Sequence, residues 1–299
     1  MTDRSGTVAA PAPDGGAGPR RGPARLDIEE LVVAFGGLKA VNGVSLTVEA
    51  GAIVGLIGAN GSGKSTLLDA VSGIVPLASG RLRLDHEDVA DYVPHERARL
   101  GVVRSFQDCR LYPEQTVEDT LLLCEDARRR VDVLSTTLQL PWARRAEKAK
   151  RRSIERVIVS FGLERFRTHI TGHLSTGTRR IVDLASIVLA HPRLLLLDEP
   201  TAGIAQREAE AFIPLLRRLH EVTDSTILLV EHDVPLVFEL CSTVVVMQAG
   251  EVVATGTPDV VKRDPRALAA YLGASDEALN VSGPVAPSTP PVPGPGDGG

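Results

Sequence analysis

Short apolar blocks alternate with helical spacing along most of this chain. "RLDIEELVVAF" (25–35) and "VSLTVEAGAIVGLIG" (44–58) carry Val, Leu and Ile in alternation or in runs and predict strands. "GKSTLLDAVSGIV" (63–75) switches to helical spacing, and "SGRLRLD" (79–85) returns to clean alternation, which predicts an exposed strand. From Val117 to Phe166 the pattern is mostly helical and charged. Continuous apolar runs reappear as "LLLLD" (194–198), "TILLVEH" (226–232) and "TVVVMQ" (243–248), each followed by a helical pattern. Short unbroken runs of this kind predict parallel strands covered on both faces. The expected class is α/β with a helical insertion in the middle, and no internal repeat interrupts it.

Composition narrows this picture. The 299 residues, 43% hydrophobic, suffice for one sizeable core with room for a subdomain. A net charge of −5 leaves no overall basic footprint for nucleic acid. The basic runs "RRR" (128–130) and "RRAEKAKRRSIER" (144–156) include Glu147 and Glu155, as expected of the solvated face of a helix. Cys109, Cys124 and Cys241 are odd in number and widely spaced, which predicts reduced thiols in a cytosolic protein, not a disulfide framework or a metal site. The most apolar stretch, "LASIVLAHPRLLLL" (184–197), is broken by His191, Pro192 and Arg193 and falls short of the ~20 apolar residues that span a bilayer. The first residues lack the apolar centre of a secretory signal. Residues 1–25 and the Pro/Gly-rich 275–299 are expected to be disordered tails around a folded unit at 26–274.

The chemistry is concentrated in a few stretches. "GANGSGKST" (58–66) matches G-x-x-x-x-G-K-[ST] through Gly58, Gly63, Lys64 and Ser65, between a predicted strand and a predicted helix. Such a loop turns successive backbone N–H groups, here those around Asn60, Gly61 and Thr66, toward phosphate oxygens, and the helix adds its positive end. Lys64 supplies a charge for the β- and γ-phosphates, and the Ser65 hydroxyl can ligate Mg²⁺. The binding of ATP or GTP is therefore expected. In "LLLLDEP" (194–200) a buried strand delivers Asp198, a candidate for holding Mg²⁺ through water, and Glu199, which can polarise an attacking water. "LLVEHD" (228–233) ends a third strand and presents His232 toward the same edge, facing the γ-phosphate.

Taken in order, these stretches over residues 28–273 resemble the ATP-binding subunits of ABC transporters. The resemblance implies a P-loop ATPase core with a parallel sheet, an antiparallel β subdomain and an inserted helical subdomain at about 108–173. It makes Gln107, in "RSFQ", a catalytic and metal-contacting glutamine, and Phe35 an aromatic that stacks on adenine. "LSTGT" (174–178) stands at the family's signature, where Ser175 caps a helix and, with the Gly177 backbone, closes on the γ-phosphate held by a second ATPase subunit. Thr176 replaces the usual glycine, at about 1–2 kcal/mol if that position needed a left-handed backbone. Ala205 replaces an acidic or amide residue that makes polar contacts across the dimer, so the two sites are expected to fire less interdependently.

"FGGLKAVNGVSLTVEAG" (35–51), "RSFQDCRLYPEQTVEDTLLL" (104–123) and "AAYLG" (269–273) are similar, more narrowly, to subunits of bacterial branched-chain (hydrophobic) amino-acid importers. That implies ATP and Mg²⁺ as cofactors, hydrolysis coupled to transport, and a place on the cytoplasmic face of the membrane. The implied partners are permease subunits docked near residues 107–118, a second ATPase subunit of the same or another kind and, indirectly, an extracytoplasmic solute-binding protein, with no nucleic acid. The alternatives are an ATPase for lipid or drug export, a non-transport ABC ATPase of DNA repair or translation, and a regulatory module without turnover. Glu199 and His232 argue for turnover, and a single compact cassette argues against the repair and translation proteins.

Overall fold

The computed structural model describes residues 22–105, 111–128, 141–204 and 210–271. Among the described residues, ten strands form two sheets. The antiparallel sheet has the order β2-β1-β4-β5, with β1 at Leu26–Phe35, β2 at Leu38–Val48, β4 at Ser79–Leu84 and β5 at Glu87–Asp88. The six-stranded sheet has the order β10-β9-β3-β8-β7-β6, from β3 (Ile53–Ile57), β6 (Val102–Arg104), β7 (Leu194–Asp198), β8 (Thr226–Val230), β9 (Thr243–Gln248) and β10 (Glu251–Gly256). The pairings β9–β3, β3–β8, β8–β7 and β7–β6 are parallel, and β10–β9 is antiparallel.

The leucine run of β7 shows why these sequences are strands. Side chains alternate across a sheet. Leu194 and Leu196 enter the core shared with β1, β2 and β4, whereas Leu195 and Leu197 enter the core on the opposite face. All four are fully buried, and each contributes on the order of 2 kcal/mol. A strand apolar on both faces has to be covered on both. Helix α1 (Lys64–Ser72) and the antiparallel sheet cover one side. Helices α3 (Val117–Arg128), α4 (Pro141–Ser160), α5 (Thr176–Leu189), α6 (Phe212–Thr223) and α7 (Val234–Leu240) lie on the other. The described residues also include the short helices α2 (Pro94–Arg99) and α8 (Pro258–Val261) and a helical stretch at 265–271, with 3₁₀ turns at Glu164–Phe166 and Thr171–His173.

One expectation changes in detail and another holds. The "SGRLRLD" strand is exposed on one face only: Ser79, Gly80 and Arg81 are exposed, whereas Leu82 and Leu84 are fully buried, because β4 lies between β1 and β5 and turns both leucines toward β3 and β7. The basic run is the solvated face of α4 as expected. Ile154, Val157 and Ile158 are buried beneath it, Arg151 pairs with Glu147 at 3.1 Å and Lys150 with Asp126 at 2.7 Å. Cys241 is buried among apolar groups, which push its thiol up to about 12, and Cys124 is half-buried with its thiol also raised by burial. Cys109 lies outside the described residues.

Candidate nucleotide site

The phosphate loop follows β3 and ends in α1, whose N-cap is Gly63. Gly63 has φ of +100°, and a Cβ there would lie 2.4 Å from the Ala40 carbonyl oxygen. A Cβ on Gly58 would lie 2.1 Å from the Met247 carbonyl oxygen. These two glycines are therefore demanded by neighbouring strands as well as by any phosphate. Gly61 differs: it has φ of +78° and open space where a side chain would stand. The β9–β10 turn props the loop from below, since Gly250 N donates to Ser62 O at 3.0 Å and Asn42 N to Gly250 O at 2.9 Å.

Lys64 is 5% exposed. Its ammonium donates to the carbonyls of Gly58 at 2.8 Å and Ala59 at 2.9 Å, which hold it over the loop. Burial lowers its pKa, while Glu199 and Asp198 pull the other way. The alternation of β7 explains how Asp198 comes to be there: after Leu197 it takes the α1 side, and its Oδ1 lies 3.5 Å from Ser65 Oγ. Its other oxygen accepts from Arg104 Nη2 at 2.9 Å, and the same guanidinium pairs with Asp69 of α1. Asp198 and Ser65 are hard oxygen donors beside a buried lysine and a helix N-terminus, and that set fits a magnesium nucleotide.

Glu199 leaves the sheet in the left-handed region, φ +48°, with its N–H donating to Val230 O at 2.9 Å. Its Oε1 meets His232 Nε2 at 2.7 Å. Glu231, 3% exposed, accepts from Thr201 N at 2.9 Å, Thr201 Oγ1 at 2.7 Å and His232 N at 3.1 Å.

The structure thus brings Gly58, Asn60, Gly61, Gly63, Lys64, Ser65 and Thr66 into one loop with Asp198 beside it, and places Glu199 against His232. Phe35 ends β1 half-exposed, beside the turn into β2. Ser175 is the N-cap of α5, accepting from Thr178 N at 3.3 Å, and Gly177 lies in the first turn. Thr176 is the first helical residue and is absent from the positive-φ positions, so the left-handed cost does not arise. Gln107 and Ala205 lie outside the described residues. Arg104, Thr201 and Glu231 escaped the reading of the sequence. A charge just after the apolar run 226–230 was the available signal for Glu231; nothing local marks Arg104 or Thr201.

A phosphate loop on a parallel sheet, with a carboxylate pair at the end of a second strand one place removed, defines a P-loop nucleoside triphosphatase. Comparison with known proteins narrows the class. The family model described as "ABC transporter" matches residues 41–202, and that described as "Branched-chain amino acid ATP-binding cassette transporter" matches 251–277. The chain is 35% identical to the high-affinity branched-chain amino acid transport ATP-binding protein BraF of Pseudomonas aeruginosa, over 83% of this chain and 97% of that one. It is 33% identical to the lipopolysaccharide export system ATP-binding protein LptB of Escherichia coli, over 84% and 98%. Among solved structures, the ADP conformation of an ABC transporter ATP-binding cassette superposes with a TM-score of 0.70 at 28% identity, covering 84% of this chain and 99% of that chain. The chain belongs to the ABC transporter family, as one of its ATP-binding subunits.

Proposed function

We propose that this chain hydrolyses ATP to drive a membrane importer of branched-chain amino acids. The hydrolytic part is carried by the 2.7 Å contact between Glu199 Oε1 and His232 Nε2, next to a loop built for phosphate. Glu199 orients and polarises the attacking water, and His232 holds Glu199 and faces the γ-phosphate. Lys64 and the N–H groups from Asn60 to Thr66 hold the phosphates, and Phe35 takes the adenine. Ser65 and Asp198, with Gln107, would hold Mg²⁺, which supplies charge neutralisation on the phosphate oxygens. Ser175 and Gly177 of one subunit complete the site of another. Two subunits glued by ATP separate once it is cleaved, and that closure and opening is what a permease can use.

The folded unit carries the helical insertion at about 108–173, and its start includes Ala24, which is fully buried with its N–H donating to Arg193 O at 3.1 Å. Among the described residues no helix is long and apolar enough to cross a membrane. Its likeness to transporter ATP-binding subunits supports a place at the membrane surface, docked on permease subunits near 107–118, where Tyr112 is 54% exposed. An external solute-binding protein supplies the solute, and nucleic acid plays no part. The solute class rests on the match at 251–277 and the likeness to BraF. Export is the second reading, favoured by the likeness to LptB.

Uptake of labelled leucine, isoleucine and valine by a deletion strain tests the proposal. Wild-type protein should restore uptake and Glu199→Gln should not. In light scattering, Glu199→Gln should form a dimer with MgATP that the apo protein lacks. Normal uptake in the deletion strain would refute the import reading.

A further inference from the structure

We propose that Glu231 is a positioning residue for hydrolysis: its buried carboxylate ties the turn after β7 to the end of β8 and thereby keeps Glu199 against His232. The inference rests on the roles given above to Glu199 and His232. Strands β7 and β8 are paired as far as Asp198 and Val230, and the Glu199 N–H to Val230 carbonyl bond of 2.9 Å is the last backbone rung. Beyond it the chain turns away, with Ala202 N bonded to Glu199 O at 3.0 Å and Ile204 N to Thr201 O at 3.1 Å. The Glu231 side chain supplies the missing rung. One oxygen takes both Thr201 donors, at 2.9 and 2.7 Å, and the other takes the backbone N–H of His232 at 3.1 Å.

Glu199 needs such a tie. A non-glycine residue at φ +48° is strained, and a strained backbone persists only where its surroundings over-determine it. The Glu199–His232 bond cannot do this alone, because the His232 side chain is 44% exposed and exposed pairs are weak. The Val230 rung fixes one side of Glu199, and Glu231 fixes the other through Thr201. An apolar residue at 231 would leave Thr201 N, Thr201 Oγ1 and His232 N without this acceptor in a buried place. The clamp touches neither the phosphate loop nor α1, so it should govern catalysis separately from nucleotide binding.

The experiment measures steady-state ATPase and equilibrium ATP binding on the full chain for wild type, Glu199→Gln, Glu231→Ala, Glu231→Gln and Thr201→Val. Displacing Glu199 by about an ångström should lower kcat about 100-fold in Glu231→Ala. ATP Kd should stay within about twofold of wild type, since the phosphate-binding groups are elsewhere. Glu231→Gln keeps an acceptor for Thr201 and should recover most of the loss. Thr201→Val, which keeps the shape and loses the 2.7 Å bond, should lower kcat several-fold with Kd unchanged. Should Glu231→Ala fail to fold, the Thr201→Val and Glu231→Gln results decide. Unchanged kcat in every clamp variant overturns the inference, and so does a loss of kcat matched by an equal loss of ATP affinity. A wild-type protein no faster than Glu199→Gln defeats the hydrolytic reading itself, and the clamp with it.

Discussion

The phosphate loop allows a test of why its glycines are there. Substituting Gly63→Ala puts a methyl group 2.4 Å from the Ala40 carbonyl oxygen, at φ of +100°. The left-handed backbone costs about 1–2 kcal/mol for any L-residue. Forcing an extra carbon against backbone adds about 1–3 kcal/mol, because β2 and the loop must both move. The total is about 2–5 kcal/mol. Gly61→Ala meets nothing within 4 Å at φ of +78°, so only the backbone cost of about 1–2 kcal/mol applies. At about 3 °C per kcal/mol for a domain of this size, the melting temperature should drop by about 6–15 °C for Gly63→Ala and about 3–6 °C for Gly61→Ala. Differential scanning fluorimetry without nucleotide measures both. Repeating it with ADP should reverse the emphasis for Gly61→Ala: if its open face receives phosphate, the variant loses more of the nucleotide-induced stabilisation than of its own stability. Equal melting temperatures for the two variants without nucleotide would refute the packing argument. An undiminished ADP shift in Gly61→Ala would refute the placement of the phosphates.

Two further outcomes follow from buried charge. Asp183, on α5, has its pKa raised to about 6, first by burial and against the pull of Arg180. A carboxyl raised in the folded state holds its proton more tightly there than in the unfolded chain. Its contribution is therefore intact below about pH 4 and is lost as pH rises toward 6, reaching a cost of no more than about 3 kcal/mol above that. Asp183→Asn should accordingly stabilise the protein at pH 8 and have little effect at pH 4 in thermal melts, and an equal effect at both would contradict the burial argument. Arg104→Met should cost about 3 kcal/mol in chemical denaturation by stranding the buried Asp198, and adding Asp198→Asn should recover part of that loss. Additive losses in that double variant would show that the pair is not coupled.

Much of this molecule could be read from the order of its residues. The runs 194–197, 226–230 and 243–247 are apolar at every position but the two threonines, and such strands are stable only inside a sheet covered on both faces. Gly58 to Thr66 encode a phosphate loop locally, because glycine placement and a following helix are properties of adjacent residues. Asp198 and Glu199 were legible for a related reason, since a carboxylate pair after a leucine strand has to emerge at the strand's end. The helix cap at Ser175 was visible in the same way.

What the tertiary structure alone decided depends on residues far apart in the chain. Which face of β4 is covered depended on its place between β1 and β5, where Leu82 and Leu84 are buried while Ser79, Gly80 and Arg81 stay exposed. Gly58 and Gly63 meet the carbonyls of Met247 and Ala40, contacts across the sheet that no local motif encodes. Arg104 reaches Asp198 and Asp69, and Glu231 reaches Thr201, only because parallel strands distant in sequence end at one edge. Local spacing records the turns a backbone must make and the faces it must bury. Which buried charge meets which partner is settled by strand order, and strand order is a property of the whole folded chain.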